Sequence, residues 1–583
     1  MLIEKSFSNK TWELKKLDER QSLMIAQRYG LSDLISKILT HRKLEENKIQ
    51  EFLNPNIRNN FPEPFTLKDM KESVERTYKS IIFNEKIGVI ADYDVDGSTS
   101  AAILTRFFNE INININIEIP KRITEGYGPN QRIINLFKKN NIKLIISLDC
   151  GTTAFKVFDK ELKKEIDTIV IDHHVSEDKF PIIFGLINPN RYDENNNLQD
   201  LAAVGVTFIF LVALRRKLRE ENYYKKNNLK EHNLTSYLDL VALGTVCDVV
   251  PLKNINRSFV VKGLEILYQR LNIGLSNLID SSNIRHQPKV FDLSFLIGPK
   301  LNSAGRIGDS TLSAKILYSN NIVEVESISK KLDLLNKKRK LIETQILQEA
   351  KIQAEKNYKS NVIIVSSFDW HPGVIGIVAS RLVEEFSKPV IIISKNKNFG
   401  IGSARSVPHI NLGSLIIESK NQGLLIEGGG HKMAAGLKIF NNKIELFSQY
   451  INDKINNYKK SINNYVLKYD FIIELEQIND TFLENLEILE PYGQGNPEPI
   501  FLIQNLQITQ FKVINDKHIF LILTDQRKNS IKAMSFNSIN TRLGSYLTNN
   551  DKNKINIITS VKRDNFLGNN STQLLIIDGC YSN

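Results

Sequence analysis

The sequence predicts a multidomain α/β protein: a parallel-sheet domain, a long connecting helix, a second and smaller α/β domain, and a C-terminal β-barrel. Three observations carry that prediction. Between residue 86 and about 190, short apolar runs alternate with helical segments, the βαβα order of a parallel sheet covered by helices. Residues 322–358 are densely charged yet keep apolar residues at helical spacing. From about residue 465 the chain turns to short strand patterns separated by turns. With 583 residues, one hydrophobic core is too few, and about three or four domains are expected.

Residues 1–85 read as mainly helical and polar, with the proline-containing stretch LNPNIRNNFPEPF at 53–65. IGVIA (87–91), IKLIISLD (142–149) and IDTIVID (166–172) read as strands, with helices near 98–109, 129–140 and 154–165 between them. INININIEI (111–119) alternates strictly and reads as a strand with one polar face. Residues 202–270 are largely helical. The second α/β unit, at about 360–455, runs NVIIVSS, a helix after Pro372, then PVIIIS. These readings divide the chain into 1–85, 86–320, 321–359, 360–460 and 461–583. No repeat of fixed period is found.

Lys and Arg outnumber Asp and Glu by 77 to 65, a formal net charge of +12. A basic excess favours a polyanionic partner, nucleic acid before a membrane surface. A general bias toward Lys gives the same excess, so charge alone decides nothing until a site is found. The three cysteines, Cys150, Cys247 and Cys580, form no CxxC pair. That argues against structural zinc or a disulfide scaffold and suits a reducing compartment. The opening MLIEKSFSNKTWELKK has no apolar signal-peptide core, and the most apolar stretch, Val204–Leu214, is too short to span a bilayer. A cytoplasmic protein without a membrane anchor is expected.

Chemistry concentrates at strand ends. ADYDVDG (91–97) resembles the start of an EF-hand loop, but its twelfth position from Asp92 is Ile103, not the bidentate Glu that calcium needs. The aspartates sit instead where a strand gives way to a helix, the place where open α/β sheets bind ligands. Asp92, Asp94 and Asp96 follow a period of two and are expected on one side of an extended segment. SLDCGTTA places Asp149 at the end of a second strand, and VIDHHVS places Asp172, His173 and His174 at the end of a third. Asp248 follows the helical run in LDLVALGTVCDVVPL. Taken singly, Asp149 and Asp248 read as turn residues or helix caps rather than as ligands. Together, so many carboxylates need a cation, and oxygen plus imidazole donors suit Mn²⁺ or Mg²⁺. The donor count is enough for two ions.

DYDVDG, SLDCGTT, DHH and GTVCDVVPL, in this order, resemble the four motifs of the DHH phosphoesterase superfamily. PKRITEGYG (120–128), IGPKLNSAGRIGDS (297–310), WHPGVIGIVASRL (370–382), GGGHKMAAG (428–436) and LEPYGQGNPEPIF (489–501) are similar to the RecJ family of single-strand-specific 5′→3′ DNA exonucleases. The resemblance covers about residues 50–583 and implies DHH, DHHA1 and OB-like domains. It implies Asp92, Asp94, Asp96, Asp149, His173 and Asp248 as ligands of Mn²⁺ or Mg²⁺, with two ions per site. Asp94 and Asp96 are the most general DxD of the superfamily. Asp172 is expected to orient an imidazole, and His174 to touch the scissile phosphate, in a hydrolysis that releases 5′-mononucleotides.

Arg122, Asn302, Arg306, Ser403, Arg405 and His431 are expected to contact nucleic acid, some of them reading the 5′-end phosphate. Arg fits phosphate oxygens with a planar fork, and three glycines let backbone approach a ligand beside His431. Ala404 in GSARS stands where the family usually has Gly. Tyr492 and Phe566 are candidate stacking rings of the OB-like region, each with burial in the barrel as the alternative. Single-stranded DNA is the implied partner of a monomer, with single-strand-binding protein and a RecQ-type helicase as family expectations. Two other readings remain: a DHH-type phosphodiesterase of short oligonucleotides or cyclic dinucleotides, and an inactive single-strand-binding scaffold. The barrel-like tail argues against the first, and the full set of acids and imidazoles against the second.

Overall fold

A computed structural model describes residues 6–458, 466–549, 553–564 and 571–582. The chain forms two compact units, one from residues 62–248 and 263–462, the other from 1–61, 249–262 and 463–583.

The first unit opens with the expected parallel sheet. Its strand order is Ile115–Glu118, Ile87–Ala91, Leu144–Leu148, Asp167–Ile171, Gly185–Ile187, with every pairing parallel. Ile87–Ala91 and Leu144–Leu148 are buried at every residue, as parallel strands covered on both faces must be. Helix Val95–Glu110 leaves the end of Ile87–Ala91 and is buried along most of its length, packed against helices Ala203–Glu220 and Leu238–Cys247. The alternating stretch 111–119 is strand only at Ile115–Glu118. Ile111 caps the preceding helix and Asn112 turns the chain with φ +60°, so the helix end consumes the first residues of the pattern.

The charged segment forms a single helix, Ile322–Lys356, of 35 residues, about 52 Å long. Asn321 caps it, accepting from Glu324 N at 3.1 Å. The buried residues of this helix include Val325, Ile328, Leu332, Asn336 and Arg339, then Ile346, Ala350 and Ala354. The mixed sheet that follows is ordered Glu427–Gly430, Ala434–Phe440, Phe399–Arg405, Val390–Lys395, Ile363–Ser367. One face packs on Ala350 and Ala354 of the long helix and on helix Ile375–Phe386; the other packs on Leu415, Phe447 and Ile451. The Ile363–Ser367 edge is blunted by Gln353, whose amide takes both Ser366 N at 3.2 Å and Ser366 O at 3.4 Å.

The second unit is built on a closed five-stranded barrel. Phe501–Ile514, His518–Thr524, Ser530–Ser535, Ser571–Tyr581 and Ile555–Asp564 pair in that order, and the last closes on the first. Register shifts near Leu506 and Ile508 let one long strand serve both neighbours. The N-terminal residues join this unit. Thr11–Leu14 pairs in parallel with Val466–Tyr469, Trp12 Nε1 donates to Asp578 Oδ2 at 3.0 Å, and Ile25, Ile35 and Leu39 share a core with Phe501 and Ile557. Residues 1–85 therefore do not act as one segment: helix Met70–Ile82 belongs to the first unit. The LEPYGQGNPEP stretch is a carbonyl cage. Buried Arg257 donates to Leu489, Glu490, Pro491 and Phe52 carbonyls, and Asn496 Nδ2 donates to Leu489 O and Pro491 O. Tyr492 is partly buried against the barrel core with its hydroxyl donating to Leu486 O, whereas Phe566 lies outside the described residues.

Candidate metal and phosphate site

The acidic motifs converge at the C-terminal ends of three adjacent parallel strands. Asp92 follows Ile87–Ala91 directly and is buried. The expectation of three aspartates on an extended segment needs correction. Asp94 is the N-cap of helix Val95–Glu110, accepting from Gly97 N at 3.0 Å, and Asp96 lies in the first helical turn. Free backbone N–H groups at a helix start take up a short acidic side chain, so the helix begins inside the motif. Gly97 has to be glycine, because a Cβ there stands 2.4 Å from Asp92 O. Asp96 reaches across to a second helix start: Ala203 N donates to Oδ2 at 2.7 Å and Val204 N to Oδ1 at 2.8 Å. Each of its oxygens keeps a second lone pair for a metal.

Asp149 follows Leu144–Leu148 in the left-handed region, φ +59°, and its carbonyl accepts from Tyr127 OH at 2.9 Å. Asp172 ends the third strand and holds the His pair. Its Oδ1 accepts from His174 Nδ1 at 2.7 Å and His173 N at 2.8 Å, while Thr152 Oγ1 donates to Oδ2 at 2.7 Å. Two asparagines fix the backbone from the other side, Asn188 through His174 O at 2.8 Å and Asn190 through His173 O at 2.7 Å. Asp248 is the C-cap of helix Leu238–Cys247.

These side chains form three overlapping ligand groups: Asp92, Asp94 and Asp149; Asp96, His173 and Asp248; Asp149, His173 and His174. Within each, the donor atoms lie within 4.8 Å of one another. His173 Nε2 is 3.4 Å from Asp149 Oδ1, 3.6 Å from Asp248 Oδ2 and 3.9 Å from Asp96 Oδ2. Asp92 Oδ1 and Asp149 Oδ1 are buried with no hydrogen-bond donor among the described residues. Burial, then the Asp94 charge, pushes Asp96 up to about 7. Burial, then Asp96 and Asp94, pushes Asp248 up to about 9. Asp92 and Asp149 rise well above the carboxylate range for the same reasons. Burial lowers His173 to about 4, helped by the charge of His174. His174 is opposed by burial but rises to about 9 beside Asp172. Oxygen-rich, mutually repelling donors with orphaned oxygens fit a pair of hard divalent cations.

A cationic cluster adjoins the acids. Arg122 lies over the Tyr93 ring, 4.8 Å from its centroid. Arg306 Nη1 donates to Gly373 O at 3.1 Å, and Arg405 Nη1 to Ser403 Oγ at 3.2 Å and Ala404 O at 2.8 Å. Gly376 lies against Ser403 and Arg405. Burial, then the charges of Arg122, Arg339 and Arg405, lowers Arg306 to about 10, with Asp94 opposing. Like charges held this closely call for an anion. Ala404 lies within strand Phe399–Arg405 with its methyl fully buried, so no loop geometry depends on it. His431 is exposed in the turn before Ala434, the strand partner of Arg405, and Asn302 is half-exposed on helix Gly298–Ile307.

Arg339, Tyr127, Thr152, Asn188 and Asn190 support the site without standing out in the sequence. Arg339 carried one legible signal, a charge on the buried seam of the long helix, where it bonds Asn336 and Glu343.

Fold and site together define a phosphoesterase-like protein with DHH architecture. Family models match in chain order: the DHH family, N-terminal domain, over residues 86–245; the DHHA1 domain over 359–457; the RecJ OB domain over 469–578. The single-stranded-DNA-specific exonuclease RecJ of Escherichia coli (strain K12) is 30% identical over 523 residues, covering 88% of this chain and 90% of that protein. The chain belongs to the RecJ family. The structure of RecJ with Mn²⁺ from Thermus thermophilus superposes with a TM-score of 0.80 at 22% identity, covering 98% of this chain and 80% of that one. A structure of exonuclease RecJ bound to manganese gives a TM-score of 0.58 at 27% identity, over 68% of this chain and 97% of that one. Among the described residues, no helix is long and apolar enough to cross a membrane.

Proposed function

We propose that this chain is a single-stranded-DNA-specific exonuclease that starts at a 5′ end and releases 5′-mononucleotides. The observation that carries the reading is the pairing of two cation-ready ligand groups, bridged by Asp149 and His173, with a cluster of arginines beside them. The relatives named above, one a single-stranded-DNA-specific exonuclease and one bound to manganese, support it. Asp92, Asp94 and Asp149 hold one divalent cation, and Asp96, His173 and Asp248 the other. Mn²⁺ or Mg²⁺ bound there neutralises the carboxylates, makes water a nucleophile at neutral pH and stabilises charge at the displaced oxygens.

The chain's own residues do the rest. Asp172 fixes the ring of His174 through Nδ1, which leaves Nε2 to touch a scissile-phosphate oxygen. Arg122, Arg306, Ser403 and Arg405 bind the terminal phosphate, so a phosphorylated 5′ end enters and the first phosphodiester lies at the acids. Asn302 and His431 contact the strand nearby. The catalytic domain takes in 86–320, the connecting helix 321–359, the DHHA1 region 360–460 and the single-strand-binding barrel 461–583. The protein works as a monomer in the cytoplasm, with single-strand-binding protein and a RecQ-type helicase as partners.

Replacing Asp94 by Ala tests the reading. Cleavage of single strands is expected to fall by at least about a hundredfold, with the circular dichroism spectrum unchanged. Full activity in Asp94→Ala would remove the metal assignment.

A further inference from the structure

An exposed aromatic pair lies outside the site described so far. Phe291 and Phe295 stack at 4.9 Å between centroids with 30° between ring planes, and are 56% and 65% exposed. They sit on a continuous helical rod formed by Val290–Asp292, the π-helical turn Leu293–Ile297 and helix Gly298–Ile307. Such π-turns inside helices are frequent at functional sites. The turn is firmly held. Asp292 is buried and accepts from Lys289 N at 2.8 Å and from His286 Nε2 at 3.0 Å, while Leu293 and Ile297 of the turn itself are buried.

The rod relates the pair to the reacting groups. Phe291, Phe295, Asn302 and Arg306 follow spacings of four, seven and four residues, which keeps them within roughly a quarter turn of one another. The Arg306 end is covered by the second α/β domain through Gly373. The middle touches the residue before Asp248: Cys247 Sγ bonds Leu293 O at 3.6 Å, and a Cβ on Gly298 would stand 2.6 Å from Cys247 Sγ. The rod therefore passes the arginine cluster, then the acids, then the open aromatic pair. Arg285 and Lys289, both exposed, add positive charge at that open end.

We propose that Phe291 and Phe295 form a stacking platform for bases on the 3′ side of the scissile phosphate. Flat exposed rings beside basic side chains match the chemistry of a nucleobase on an anionic backbone. Phe295 lies 11 residues from Arg306, about 16 Å along the rod. At about 3.4 Å per stacked nucleotide, that distance is about five steps, so the platform meets roughly the fifth to seventh base from the 5′ end. This platform rests on the proposed function for its polarity.

The test reads binding as well as cleavage. Single strands carrying 2-aminopurine at successive positions are mixed with full-length protein in chelator, where nothing is cut. Quenching is expected at roughly the fifth to seventh position with the wild type, lost in the Phe291→Leu, Phe295→Leu double variant and restored in Phe295→Trp. With metal present, the double variant is expected to lose about five- to 150-fold in KM on long strands, and nothing on a dinucleotide. Quenching unchanged by the Leu variant, or lost equally in Leu and Trp variants, would overturn the platform. Position-specific quenching without cleavage of any strand would retain the platform and remove the exonuclease reading instead.

Discussion

Asp94 and Asp96 each serve two purposes, as members of a cation-ready cluster and as anchors of helix starts. That double use makes a residue-scale distinction testable. Asp94→Asn keeps an N-cap acceptor, while Asp94→Ala removes it at a cost of about 1 kcal/mol. Both variants are expected to lose cleavage, but in chelator only the Ala variant shows the lost cap, as a lower denaturation midpoint than Asn. Arg405→Ala is expected to reduce the preference for a 5′-phosphorylated over a 5′-hydroxyl strand by about tenfold or more, since charge-assisted contacts are worth ~1.5–3 kcal/mol. An unchanged preference would place end recognition elsewhere.

Asp239 gives a pH prediction away from the metal groups. It is buried, its Oδ2 has no donor among the described residues, and burial, only partly opposed by Arg106, raises it to about 7. The folded state therefore holds a proton that the unfolded chain releases near pH 4. Stability from this group is complete below about pH 4 and is lost as pH rises toward 7. Asp239→Asn is expected to flatten that slope and to be the more stable protein at pH 8, by roughly 1–4 kcal/mol. Urea denaturation of both proteins at pH 5 and pH 8 checks the sign.

At the scale of elements, the local signals were strong where function sits. Strands Ile87–Ala91, Leu144–Leu148 and Asp167–Ile171 were legible as apolar runs, and their acidic ends as a common crevice, because a parallel sheet puts such ends together. The long helix was legible from its period alone. The geometry of DYDVDG was not, since a period-two pattern does not report that Asp94 caps a helix. Asn188 and Asn190 are ordinary loop residues in sequence and acquire their role only from where the His pair comes to lie. Arg339 was hidden by its charged neighbours on the same helix. Because its charge adds to the cluster around Arg306, its replacement by Met is expected to weaken binding of a 5′-phosphorylated strand more than that of a 5′-hydroxyl strand. Equal loss for both ends would make Arg339 a packing residue only.

For the whole molecule, the two ends of the chain are read apart in sequence yet fold together. The pairing of Thr11–Leu14 with Val466–Tyr469 and the shared core of Ile25, Ile35 and Phe501 depend on contacts hundreds of residues apart, which neither period nor composition encodes. Removing residues 1–61 is expected to expose the apolar side of the barrel unit and abolish its cooperative melting. Retained melting of the barrel in that deletion would show that the barrel core is sufficient alone.

The most direct measurement is degradation of 5′-labelled and 3′-labelled single strands, beside matched duplex, with Mn²⁺, Mg²⁺ or chelator. Immediate release of labelled mononucleotide from the 5′-labelled single strand is expected, with progressive shortening of the 3′-labelled one, an intact duplex, and no reaction in chelator. Hydrolysis confined to di- to pentanucleotides would contradict the exonuclease reading in favour of a short-oligonucleotide phosphodiesterase. Tight binding without cleavage in either metal would contradict it in favour of a single-strand-binding scaffold.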